Sequence, residues 1–104
     1  MKSDIEFYSS RLPRLYETED IPEDEKLVPL AFVSDAGWKW YPVEFDPDDH
    51  LFFGLVEGWE EEWGYFSLDE LEKVHLSVSP IRIHVFEPPR TLAEVRKTLN
   101  DKEE

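Results

Sequence analysis

The sequence predicts an α+β fold: an antiparallel sheet of about five strands with two or three short helices. Three observations predict it. Short runs of alternating apolar and polar residues recur between turn signals, as in Trp38 to Phe45 and Ile81 to Phe86. Two capping-box patterns, Ser67-Leu68-Asp69-Glu70 and Thr91-Leu92-Ala93-Glu94, each open a helical spacing of apolar residues. The chain has 104 residues, 40% hydrophobic and 14% aromatic, enough for one core. It reads as a single domain over 1–104, ordered over about 5–99, with a tail that frays.

Taken in order, Ser3 to Arg14 has room for a short helix, with Ile5, Tyr8 and Leu12 near one face and Pro13 at its end. Leu15-Tyr16 is an apolar anchor, and Glu17 to Lys26 an acidic loop. Leu27 to Val33 reads as a strand whose Pro29 makes it an edge or forces a bulge. Asp35-Ala36-Gly37 is a turn. In the next strand Trp38, Trp40 and Pro42 point one way, and Lys39, Tyr41, Val43 and Phe45 the other. Asp46-Pro47-Asp48-Asp49-His50 is rich in residues that bond their own backbone. Leu51 to Glu57 is a strand in which Gly54 marks a bulge or a close backbone approach. Gly58 to Glu61 is a turn, and Glu62 to Phe66 the next strand of an antiparallel meander. A helix follows Ser67 to about His75, with Leu68, Leu71 and Val74 toward the sheet. Ile81 to Phe86 is a strand that Pro88-Pro89 stops. The last helix, from Thr91 to about Leu99, buries Leu92, Val95 and Leu99.

The charge is −14 and unevenly placed. Residues 31–72 hold twelve acids and one base, whereas residues 73–104 carry a net +1. Binding nucleic acid through phosphates needs a basic patch, and anionic membranes ask the same, so neither is expected as a direct partner. A basic protein surface is the partner this field would attract and steer. There is no cysteine, Met1 to Glu6 has no apolar core of a signal peptide, and the apolar runs are too short to span a bilayer. A cytoplasmic protein, monomer or homodimer, is the expectation.

No catalytic constellation stands out, and no cofactor or metal is expected. His75 and His84 lie nine residues apart with no third soft ligand, too few for a zinc site. Asp46, Asp48 and Asp49 resemble a calcium loop, but position six of such a loop would be Leu51 and not glycine. They read as an Asx-type turn. Ser67 reads as a helix cap. Glu57, Glu60, Glu61 and Glu62 flank Trp59 and Trp63, and a tryptophan beside glutamates can grip arginine by cation–π contact and ion pairing together.

The pattern Trp38-x-Trp40-Tyr41-x-x-Glu44-x-Asp46-Pro47, then Leu51-Phe-Phe-Gly54-x-Val56-x-Gly58, then Gly64-Tyr-Phe-Ser-Leu-x-Glu-Leu71 is preceded by Leu12-Pro-Arg-Leu-Tyr16. In order and spacing these blocks resemble the domain-of-unknown-function family 2958, small bacterial proteins often encoded on plasmids and phages, over roughly residues 10–90. That family has no established activity, ligand or catalytic residue. Where its members carry a lysine in the first strand and Arg-Asp before the last, this chain has Pro29-Leu30 and Ile83-His84, so no polar site carries over. The resemblance implies a mobile-element setting, in which acidic proteins imitate the phosphate backbone to block host nucleic-acid enzymes.

The expected function is therefore an acidic protein-interaction module whose face is Asp46, Asp48, Asp49, Glu57, Trp59, Glu60, Glu61 and Glu62. Its sharpest form is a nucleic-acid mimic that inhibits a basic nucleic-acid-handling protein. Two alternatives stand beside it. One is a small-ligand-binding or hydrolytic domain with a pocket between sheet and helices, using Glu44 or Glu70 with Tyr65. The other is a subunit of a larger complex, joined through Leu27–Val33 as an edge strand.

Overall fold

The structure, a computed structural model, describes residue 7 and residues 9–101, with the side chains of 99–101 excepted. It is an α+β fold built on one five-stranded antiparallel sheet in the order β4-β3-β2-β1-β5. The strands are β1 (Leu27–Ser34), β2 (Lys39–Asp46), β3 (Leu51–Glu57), β4 (Glu61–Ser67) and β5 (Ile81–Thr91). Helix α1 (Leu68–Ser77) joins β4 to β5, helix α2 (Leu92–Asp101) follows β5, and a 3-10 turn (Glu23–Glu25) precedes β1. Of the helix expected over Ser3 to Arg14, residues 3–6 and 8 lie outside the described residues, Ile5 and Tyr8 included; Phe7 and Ser9 are helical, and the chain leaves the helix at Ser10, before Pro13. The tail beyond 101 and the Leu99 side chain lie outside them too.

The sheet is covered on both faces. On the α1 face Leu30, Phe32, Trp40, Phe45, Phe52 and Phe66 pack with Leu68 and Leu71 of the helix. On the α2 face Val28, Ala31, Tyr41, Val43 and Leu55 pack with Leu92 and Val95. Burial on both sides explains why β2 reads as nearly continuous apolar sequence.

Two prolines sit in interior strands, and each is accommodated by a bulge. A register shift between Val28 and Leu30 surrounds Pro29, and another between Pro42 and Glu44 follows Pro42. Pro29 therefore does not put β1 at an edge: β2 pairs on one side and β5 on the other. Leu27–Val33 is therefore an interior strand and not the edge strand expected. The second bulge corrects the face of Phe45. It joins Trp40 and Phe52 on the α1 face, away from Tyr41 and Val43, because the extra residue turns the rest of the strand over. Gly54 lies opposite this bulge. A Cβ there would stand 2.1 Å from the Tyr41 carbonyl oxygen, so glycine is the residue that lets the two backbones meet.

The meander holds for β1 to β4, but β5 returns to the far side of β1. Pro88-Pro89 does not end β5. The strand continues beyond the cis Glu87–Pro88 bond to pair Arg90 with Val28 and Thr91 with Leu27. Both helix starts are capped. The Glu70 amide donates to Ser67 Oγ at 3.0 Å. At α2 the capping box closes in both directions, Glu94 N–H to Thr91 Oγ1 and Thr91 N–H to Glu94 Oε1.

Because α1 leaves the β4 edge and delivers the chain to β5 on the other edge, it crosses the sheet. One corner of the α1 face stays uncovered, where β2, β3 and β4 approach the Gly58–Glu60 turn. That corner holds the candidate site.

Candidate interaction site

The eight expected site residues do not form one face. Asp46, Asp48 and Asp49 lie in the β2–β3 turn, and Glu57 to Glu62 around the β3–β4 turn. These turns cap opposite ends of β3, whose seven residues span about 20 Å. At the first end the Asp46 carboxylate accepts the amides of Asp48 at 2.9 Å and Asp49 at 3.4 Å, an Asx turn in which His50 takes a positive φ of 52°.

At the second end the acids differ in state. Glu57 is half-buried, 3.9 Å from the Nζ of buried Lys39. Burial holds its carboxyl above the ordinary carboxylate range, and the cross-strand neighbour Glu61 adds to the rise while Lys39 opposes it. Glu61 turns to the α2 face, where both its oxygens accept from Arg96 Nη2 at 2.7 and 2.6 Å. Glu60 and Glu62 make no ion pair among the described residues. The available charge is therefore narrower than the glutamate run suggests.

Trp59 stands at the tip of this hairpin with 93% of its surface exposed. Its tryptophan neighbour is not Trp63, which stacks on Phe53 at 5.7 Å on the α2 face. It is Trp38, which joins Trp59, Glu60 and Glu62 around one depression. Trp38 lies so close under the turn that a Cβ on Gly58 would fall 2.3 Å from its ring, and it stacks on Trp40 at 6.1 Å. Beside it the uncovered corner forms a groove of about 450 Å³, bordered by Trp38, Trp40, Val56, Glu62, Glu70 and Val74. Glu70 borders the groove instead of closing the capping box with Ser67. Leu76 and Val78, at the end of α1, add exposed apolar surface.

Trp38 was not among the expected site residues, and Glu70 was expected only in the alternative pocket between sheet and helices, whose place this groove takes. Gly58 was the available signal, since a glycine directly before an exposed tryptophan marks a close approach by another ring. The other carboxylates and histidine considered earlier are occupied. Glu44 is buried on the α2 side and accepts the Tyr16 and Thr18 amides at 2.8 and 2.9 Å together with the Thr18 hydroxyl, while buried Lys26 donates to the Thr18 carbonyl. It shares a small pocket of about 110 Å³ with Tyr65. His75 Nδ1 accepts the Ile81 amide at 2.9 Å, which ties α1 to β5.

Compared with known proteins, the chain matches no family model, no curated protein and no solved structure. The likeness to family 2958 rests on the sequence blocks alone. Among the described residues no helix is long and apolar enough to cross a membrane.

Proposed function

We propose that this chain is a small acidic protein-interaction module that binds a basic protein surface through the hairpin end bearing Trp59, Glu60 and Glu62. One observation carries the reading: a tryptophan 93% exposed, beside Glu60 and Glu62, which make no ion pair among the described residues. An indole so placed costs the monomer stabilising burial, and its ring face with adjacent carboxylates suits a guanidinium or ammonium. The charge of −14 steers such a partner in.

The nucleic-acid mimic is the narrower form of this proposal. A mimic that used both acidic turns would have to engage its target across the length of β3. Competition against duplex DNA for a basic DNA-binding protein tests that form separately.

Titration calorimetry with an arginine-rich peptide tests the broader proposal. The Glu60→Lys/Glu62→Lys and Trp59→Ala variants are expected to lose about tenfold or more in affinity, and wild-type affinity to fall steeply with salt. Unchanged affinity in both variants would overturn the assignment. The groove of about 450 Å³ favours a second reading, a site for a small aromatic or cationic ligand. The hydrolytic version of that reading loses Glu44, whose oxygens are occupied by backbone donors.

A further inference from the structure

The outer edge of β4 and the groove beside it make one continuous surface. β4 is the terminal strand of the sheet, so alternate residues along it turn N–H and C=O groups away from β3 with no strand to receive them. Five consecutive β4 residues, Glu62 to Phe66, border the groove. Gly64 lies at their middle, and no atom comes within 4 Å of the place its Cβ would take. The Trp38–Trp40 stack lines the groove, with Glu62 on the strand side and Glu70 on the helix side.

An open edge invites another strand, and proteins guard such edges with charge. Here the guard is Glu62 near the start of β4, since Arg96 already holds Glu61. It selects against a second copy of this chain, which would bring like charge and another −14. Against a basic strand it does the reverse.

We infer that β4 receives an extended basic segment of a partner protein by strand addition, with alternate arginine or lysine side chains seated in the Trp38–Trp40 groove between Glu62 and Glu70. The inference rests on the basic-partner reading above and adds its geometry. Main-chain bonds to β4 supply affinity that any sequence shares, and the groove supplies selection for a cation at every second position. The next cationic side chain, about 7 Å along the strand, reaches the hairpin tip with Trp59 and Glu60.

The probe is an alternating threonine–arginine peptide of about eight residues, long enough to pair along a whole strand. It is compared with two versions carrying N-methyl groups on one or the other alternating set of backbone amides. Strand addition predicts that one methylated version loses about tenfold or more while the other binds like the parent, and that β4 amides exchange more slowly in the complex. Equal binding of all three would overturn strand addition and leave the basic-partner reading standing. No binding of the parent peptide would overturn both. Gly64→Val supplies an independent check. It fills the groove with a strand-favouring side chain and is expected to fold, while losing the peptide; a folded Gly64→Val variant with unchanged affinity contradicts the groove as the seat of the cation.

Discussion

Arg96 on α2 holds both carboxylate oxygens of Glu61 at 2.7 and 2.6 Å, while the next residue, Glu62, borders the groove on the opposite face of the sheet. Adjacent glutamates of a strand point apart by the two-residue period, and here that period separates a structural carboxylate from a recognition one. Because the pair is partly exposed, at 35% and 41%, it contributes modestly. A double-mutant cycle with Glu61→Gln and Arg96→Met is expected to give a coupling of about 0.5–1 kcal/mol. The same Glu61→Gln change should leave peptide affinity within about twofold. A tenfold loss of affinity would place Glu61 in the interface.

Gly54 and Gly64 both occupy strands but predict opposite outcomes. At Gly54→Ala the new carbon meets the Tyr41 carbonyl oxygen at 2.1 Å, in backbone held by the β2 bulge. A loss of about 3 kcal/mol in chemical denaturation is expected. At Gly64→Ala the site is open, and removal of glycine's excess freedom should leave stability unchanged or raised by about 0.5 kcal/mol. Equal effects at the two positions would contradict the packing described.

Glu57 predicts a pH dependence of definite sign. Its folded pKa lies above the ordinary value of 4.5, so between the two the folded state holds more protons than the unfolded chain. Its contribution to stability is present at low pH and falls as pH rises through that window. Glu94 behaves oppositely: accepting the Thr91 amide lowers its pKa, so its contribution is present above 4.5 and lost as pH falls through the lowered value. Relative to wild type, Glu57→Gln should gain stability as pH rises from about 4.5 to 7. Parallel stability curves for the two proteins over that range would show that Glu57 is not the responsible group.

Glu44 clasps the chain ahead of β1. It accepts the amides of Tyr16 and Thr18 and holds Tyr16 at a positive φ of 73°. Glu44→Gln replaces an acceptor with a donor against those amides and should cost about 2–3 kcal/mol. Trypsin should then cut faster after Arg14. Unchanged cutting would mean that other contacts hold the segment.

Much of this fold is legible because its signals are local. Alternation and turn residues place β1 to β4 within a residue or two, and the serine and threonine caps place both helix starts. What escapes local reading depends on residues distant in sequence. The place of β5 beside β1 follows from α1 crossing the sheet, and no pattern within Ile81 to Phe86 encodes it. The facing of Phe45 depends on one extra residue at Pro42–Glu44, which alternation alone cannot reveal. Continued pairing past Pro88-Pro89 becomes intelligible once β1 lies alongside to receive Arg90 and Thr91. The site follows the same division. Trp59 is readable from its turn, whereas Trp38 and Glu70 meet only through the crossing of α1, and Glu61 leaves the interface because Arg96 arrives from α2.

The central claim is that a basic partner is taken at the Trp59 end of the sheet and not at the Asp46–Asp49 end. Chemical-shift mapping of the isotope-labelled protein with the alternating threonine–arginine peptide tests it most directly. Shifts are expected at the Trp38 and Trp59 indoles and along the β4 amides from Glu61 to Phe66, with Asp46 to His50 unmoved. Shifts confined to Asp46 to His50, or spread evenly over all the acidic loops, would contradict it.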